Sequence, residues 1–408
     1  MPATPPRRGE LEDLLREAAP RALAAVVRRF GDFADSEDAV QEAMIDAARQ
    51  WPAQGTPGNP TGWLIAVASR RMTDRIRADS ARRAREERLA SEPQPGPSGA
   101  ADDTLALIFM CCRPELTPAS AVALTLRAVG GLSTAQIAAA FLVPEKTMGR
   151  RIARARQTVG AAGEPFGLPA ADERAGRLRT VLSVLYLMFN EGYAASEGPD
   201  LARAELSAEA IRLTRIARLA LREEPEVGGL LALMLLTDAR RPARTDARGE
   251  LVPLDEQDRS LWDVAAIAEG NRVLAEVLAE GAVGPYQLQA AIGAAHDRAR
   301  RAEDTDWAEI LALYGLLEGV APGPMVALNR AVAAAMADGP RVGLDLLAEV
   351  EPRLVGHHRR HAVRAHLLEL AGDGRGAHAE YVRAAELTAS LPERRYLTKR
   401  AARLAGAA

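Results

Sequence analysis

Between Glu145 and Gly160 the apolar residues Met148, Ile152, Ala155 and Val159 stand at spacings of 4, 3 and 4. That is one stripe along a helix. Lys146, Arg150, Arg151, Arg154 and Arg156 lie largely off the stripe, and the segment carries a net charge of +4. Immediately upstream, Leu132–Phe141 (LSTAQIAAAF) reads as a shorter helix with Ser133 as its N-cap. The small side chains of Ala138 and Ala139 let a second helix cross closely, and Leu142, Val143 and Pro144 make the turn. The pattern predicts a helix-turn-helix with a basic outer face on its second helix, the arrangement that enters a DNA major groove.

A second pair of helices is legible near the N-terminus. Over Asp35–Pro52 (DSEDAVQEAMIDAARQWP), Ala39, Val40, Ala43, Ala47 and Trp51 share a buried side, while Asp35, Glu37, Asp38 and Glu42 make the opposite face acidic. A loop rich in Gly, Pro and Asn follows at 54–62. The next helix runs from Trp63 towards Arg88, and from Arg70 onward it holds eight Arg against four acids. One acidic and one basic helix, flanking a loop, have opposite tasks.

Pro, Gly and Ser crowd residues 90–103 (ASEPQPGPSGAADD), so a flexible linker is expected there. Thr104–Val159 is helical again, and a Gly/Pro stretch at 160–169, with Phe166 as an apolar anchor, leads into a long helical region. A shift of 34 residues within that region pairs Ala331 with Ala365, Met336 with Leu370, Gly343 with Ala377 and Leu347 with Tyr381. This is the tetratricopeptide (TPR) spacing, whose helix pairs stack into one solenoid because none buries its apolar face alone. The expected fold is all-α: two small helical domains, the second a helix-turn-helix, joined by a flexible linker, then a C-terminal TPR-like α-solenoid. The boundaries are 1–89, 90–103, 104–160 and 161–408.

Composition supports helices. Aromatics are 4% of the 408 residues, and only two of the 52 basic residues are Lys; strands draw on aromatic and β-branched side chains. The net charge of -3 hides an asymmetry, since residues 1–160 sum to +3 and the rest to -6. A basic half joined to an acidic half points to nucleic acid at one end and another partner at the other. Cys111 and Cys112 are adjacent and without a second pair, so they read as core thiols rather than a zinc site or a disulfide framework. With no apolar run of membrane-spanning length and no signal pattern, a cytoplasmic protein without a membrane role is expected. His357, His358, His361 and His366 invite a metal reading, but with no Cys nearby they read as solvated or capping side chains. Asn190–Tyr193 could line a pocket, although a helix-ending turn at Gly192 accounts for it more simply.

The motifs then resemble a family. D-x-E-D-x-x-Q-E at Asp35–Glu42 is similar to the core-polymerase-binding helix of bacterial sigma factors of the extracytoplasmic-function kind. W-L-x-x-x-A followed by D-x-x-R (Trp63, Leu64, Ala68, Asp74, Arg77) resembles their promoter -10 helix, and Leu132–Ala155 resembles their -35 helix-turn-helix. The phrases LYLMFNEGY, YQLQAAIGAAH, TDWAEILALY and VALNRAVA, beginning at Leu185, Tyr286, Thr305 and Val326, resemble a subgroup with a fused C-terminal helical domain. Arg70 stands where many relatives have Asn, and Gln136 where many have Glu.

The resemblance implies that Asp35, Glu37, Asp38, Gln41 and Glu42 dock on core RNA polymerase. Trp63 and the loop before it would capture an unstacked base of the -10 element, with Arg70, Arg71, Asp74, Arg75 and Arg77 along the same strand. Lys146, Thr147, Arg150, Arg151 and Arg154 would face the -35 element. Core polymerase and promoter DNA are the implied partners, with a peptide or protein ligand for the C-terminal domain, which would regulate in cis. No cofactor and no catalytic residue are implied. Two other readings compete: a one-component helix-turn-helix regulator with a helical sensor domain, and an enzyme hosted by the C-terminal helices. The first needs neither the acidic helix nor the -10-like helix; the second lacks a nucleophile–base pair or a phosphate loop.

Overall fold

Gly31 and Asp32 make the first turn of the chain. Gly31 takes a left-handed conformation (φ 76°) that a side chain would disfavour, and the Asp32 carboxylate accepts from Asp35 N at 2.8 Å, capping the next helix. The turn joins α1 (Arg8–Phe30) to α2 (Phe33–Gln54), and α3 (Pro60–Arg83) packs on both. At the start of α3, Asn59 Oδ1 accepts from Gly62 N at 2.8 Å, with Pro60 in the first helical position. Leu23, Val27, Val40, Ala43, Trp51, Leu64 and Met72 fill the space between the three helices.

This computed structural model describes residues 8–83, 100–141, 143–162, 166–195, 201–281 and 283–406. Of the expected linker, residues 90–99 lie outside the described residues, and Ala100–Asp103 open α4 (Ala100–Cys111). Then come α5 (Pro118–Ala128), α6 (Thr134–Ala140) and α7 (Glu145–Ala161). Cys111 and Cys112 are both fully buried here; burial pushes the Cys112 thiol up to about 12, against a hydrogen bond to Thr125. The chain divides into compact units, 1–187 and 188–408, and the division falls within α8 (Ala171–Tyr193). Within the first unit, Arg177 of α8 donates to Phe109 O at 3.2 Å, and the Arg28 guanidinium lies 5.9 Å from the centre of the Phe166 ring.

The second unit continues through α9 (Ala204–Ala220), α10 (Pro225–Asp238), α11 (Val264–Leu278), α12 (Pro285–Arg298) and α13 (Trp307–Val320). It ends with α14 (Pro324–Asp338), α15 (Pro340–Val350), α16 (His358–Leu370), α17 (Gly374–Leu387) and α18 (Leu391–Ala405). α10 is apolar all round and is enclosed by α9, α11 and α12, as a helix without a polar face must be. Helix starts recur at 34 residues, from Pro324 to His358 and from Pro340 to Gly374. Burial recurs with them: Ala331 and Ala365 are fully enclosed, Leu347 matches Tyr381, and the exposed Met336 matches the exposed Leu370. A side chain on Gly343 would lie 2.5 Å from Ala335 Cβ. Ala377, its counterpart 34 residues on, is itself buried.

Gly192 departs from the sequence expectation. It lies inside the last turn of α8, and a Cβ there would sit 2.2 Å from Ser207 N and 2.9 Å from Leu206. Close approach of the next helix, rather than a helix-ending turn, requires the glycine. His357 caps α16, its Nδ1 accepting from Arg359 N at 3.2 Å, while His361 Nδ1 bonds Glu380 at 2.6 Å. Among the described residues no strand forms, and Thr245 and Leu251 make an isolated bridge. Among the same residues, no group of three or more His, Cys, Asp or Glu could hold a metal, and no helix is long and apolar enough to cross a membrane.

Candidate nucleic-acid and polymerase interface

The α6–turn–α7 pair is built as its sequence requires. Ser133 Oγ accepts from Gln136 N at 3.1 Å, and Gln136 Oε1 accepts from Ser133 N at 2.8 Å. This reciprocal cap satisfies two amide groups that the helix leaves without partners. Gln136 therefore serves this cap as well as a Glu would. Met148, Ile152, Ala155 and Val159 are buried along one side of α7, while Lys146, Thr147, Arg150 and Arg154 are exposed and Arg151 is half-buried. Gly149 leaves open space, since an added Cβ would meet only Thr134 Cγ2 at 3.8 Å.

The α2–α3 pair carries its charges differently from a simple outward acidic face. Arg71 reaches back to Glu42 at 2.5 Å and to Asp46, and Arg75 to Glu42 at 2.8 Å and Asp35 at 3.7 Å. The hydrogen bond that Arg71 donates to Asp46 is the largest influence raising the Arg71 pKa. Expected polymerase contacts and expected phosphate contacts are here one another's counter-ions. Arg70, Asp74 and Arg77 are exposed, and Gln41 is half-buried. Trp63, in the first turn of α3, meets Trp51 edge to face with centroids 5.4 Å apart, so part of its indole is fixed against the core.

Glu37 corrects the expectation of an open acidic face. It is 2% exposed, enclosed by Arg127 of α5 at 3.0 Å and Arg156 of α7 at 3.1 Å. Arg156 also binds Asp38 at 2.8 Å and donates to Ala34 O at 2.5 Å. Burial alone would lower the Arg156 pKa; the bond to Asp38 and the charges of Glu37, Asp38 and Asp35 outweigh it and raise the value. The α2 side of this cluster lies in the first domain read from sequence and the two arginines in the next, so the helical wheel of α2 could not place Glu37. A signal did exist on α7. Arg156 follows Ile152 by four residues and precedes Val159 by three, which puts it at the border of the buried stripe.

Comparison with known proteins assigns these parts. Residues 14–82 match the family model for sigma-70 region 2, and residues 106–159 that for sigma-70 region 4. Residues 177–278 match a family of unknown function, DUF6596. An uncharacterized protein of Rhizobium meliloti (strain 1021) is 42% identical over 399 residues, covering 95% of this chain and 94% of that protein. The probable ECF RNA polymerase sigma factor SigI of Mycobacterium tuberculosis is 29% identical over 178 residues, 39% of this chain and 61% of its own length. The ECF RNA polymerase sigma factor SigK of Mycobacterium ulcerans is 29% identical over 160 residues, 34% of this chain and 84% of its own length. No solved structure matches. The two sigma-70 regions in order, with the likeness to extracytoplasmic-function sigma factors, mark the chain as a sigma factor of that kind, a DNA-binding protein of promoter recognition and transcription initiation.

Proposed function

We propose that α2 docks on core RNA polymerase through Asp35, Asp38, Gln41 and Glu42, with Glu37 contributing once it is uncovered. In this reading α3 follows the -10 strand through Trp63, Arg70, Arg71, Asp74, Arg75 and Arg77. Lys146, Thr147, Arg150, Arg151 and Arg154 of α7 read the -35 element in the major groove. The observation that carries the reading is the exposed basic face of α7, set on a helix-turn-helix whose apolar stripe is fully engaged. Because Arg156 holds Asp38 and encloses Glu37, docking by these carboxylates entails parting α7 from α2. The test is core binding by the full chain carrying Asp38→Ala and Gln41→Ala. Loss of core affinity with an unchanged melting curve supports the assignment; undiminished affinity rejects it.

The proposal extends to the second unit as a TPR-like solenoid that regulates the sigma regions in cis and offers a surface to a peptide or protein. Its support is the 34-residue recurrence of helix starts and burial from α14 to α17, together with the opposite net charges of the two halves of the chain. A chain ending after Leu187 keeps the part of α8 that bonds Phe109. Altered transcription from a cognate promoter by that chain supports regulation in cis, and unaltered transcription rejects it.

A further inference from the structure

The second unit holds a cavity of about 750 Å³ that promoter recognition leaves unused. Small-molecule sites typically span ~300–1,000 Å³. Residues of α12, α13, α14, α16 and α18 form its walls, and the segments 253–259 and 302–305 complete them. The stretch around the first segment is tied to α18 by Lys399 with Glu250 and by Arg400 with Glu256 at 3.4 Å.

The walls are amphipathic. Trp307, Tyr314 and Tyr396 supply aromatic surface, and Val332, Met336 and Leu370 aliphatic surface. Met336 and Leu370 remain 39% and 45% exposed. At one end stands Arg259, whose Nη1 donates to the carbonyls of His296 at 2.8 Å and Ala299 at 2.6 Å. Its guanidinium also lies 4.7 Å from the centre of the Trp262 ring. These contacts hold the head group in place, yet no carboxylate pairs with it among the described residues, and its Nε is buried without a partner. Asp297 is engaged by Arg240 at 2.7 Å and, like Asp304, acts on Arg259 only through space. Arg400, also on the wall, is by contrast saturated by Glu369 at 2.7 Å, Glu256, and the rings of Tyr381 and Tyr396.

Of the two lining histidines, His296 registers the Arg259 charge. Burial first, then the charges of Arg240 and Arg259, push His296 down to about 3; burial lowers His366 as well. His296 is therefore neutral near pH 7, and the Arg259 guanidinium has no carboxylate in contact among the described residues.

We propose that this cavity binds a small organic anion with a flat apolar body, its acid group on Arg259 and its body against the aromatic and aliphatic walls. An organic cation is disfavoured. Of the lining carboxylates, Glu303 already pairs with Arg301 at 2.6 Å, and Asp255 is exposed to water and faces the His366 and Tyr396 side of the cavity.

Titration of the full chain with naphthoate, naphthylmethanol and naphthylmethylammonium, followed by calorimetry and tryptophan fluorescence, tests this. Naphthoate should saturate and bind about tenfold or more tightly than the alcohol, the value of one charge-assisted hydrogen bond. Arg259→Gln should erase that preference. Arg259 also holds two backbone carbonyls, so a second variant guards against misfolding. Leu370→Glu, at an exposed position, should melt like the parent and weaken naphthoate binding about tenfold. Absence of saturable binding at millimolar naphthoate, equal affinity for acid and alcohol, preference for the ammonium, or unchanged binding by Leu370→Glu would each overturn the proposal.

Discussion

Arg156→Ala removes one guanidinium from a carboxylate that is 2% exposed, and the outcome follows from where the charges lie. Glu37 keeps Arg127 at 3.0 Å but loses Arg156 at 3.1 Å. The Asp38 partner, 47% exposed, adds little. Breaking a buried ion pair outright costs about 3–5 kcal/mol; with Arg127 still in place, the expected loss of stability is about 2–3 kcal/mol, near the value of a charge-assisted bond. For a unit of this size, each kcal/mol shifts the melting temperature by about 2–4 °C, so the first transition should fall by roughly 5–10 °C. The same substitution frees α2, and an affinity reduced by a partly populated competent state recovers as that state fills. Core polymerase should therefore bind the variant more tightly although it is less stable. Calorimetry and a core-binding titration read the two effects separately, and a double-mutant cycle with Glu37→Leu should return a coupling above about 1 kcal/mol. A melting temperature within 1–2 °C of the parent (about 0.5 kcal/mol) would show that the cluster is not an engaged buried pair. A stability loss accompanied by weaker core binding would show that α7 does not occlude α2.

Four further substitutions probe separate levels. Gly149→Ala should stabilise the first unit by about 0.5–1 kcal/mol in thermal denaturation, because the new methyl meets only Thr134 at 3.8 Å and helical glycine is costly. Gly192→Ala should destabilise the second unit by about 1–3 kcal/mol, because its Cβ would fall 2.2 Å from Ser207 N; an unchanged urea midpoint would contradict that packing. Arg150→Ala should alter base preference at the -35 element across a promoter library. Arg77→Ala should weaken all promoters alike and lower the salt slope by about one unit; identical profiles for the two would show that the base reader is wrongly assigned.

Local periodicity was enough to read the helices and the helix-turn-helix from sequence. Met148, Ile152, Ala155 and Val159 are buried together because a 3.6-residue repeat leaves them no other arrangement once one of them is inside. The Ser133 cap was legible for the same reason, since its partner stands three residues away. Recurrence over 34 residues is also a property of the chain itself, and it carried the matching burial of Ala331 with Ala365. Side-chain fate across elements was a different matter. Glu37 belongs to the polar side of α2 by any helical wheel, and only the arrival of Arg127 and Arg156, 90 and 119 residues further on, turns it into a buried ion-pair centre. The resemblance sets Arg71 and Arg75 along the -10 strand, and only the packing of α3 on α2 shows them paired with Glu42 and Asp46. Gly192 read as a helix end because the approach of Ser207 is invisible in a local window. The Arg259 cavity left no trace in any motif, since five helices and two connecting segments contribute a few residues each. Backbone hydrogen bonds and side-chain periodicity act within a few residues, so sequence determines them. Charge pairing and close packing act through space between distant residues, and tertiary structure alone decides them.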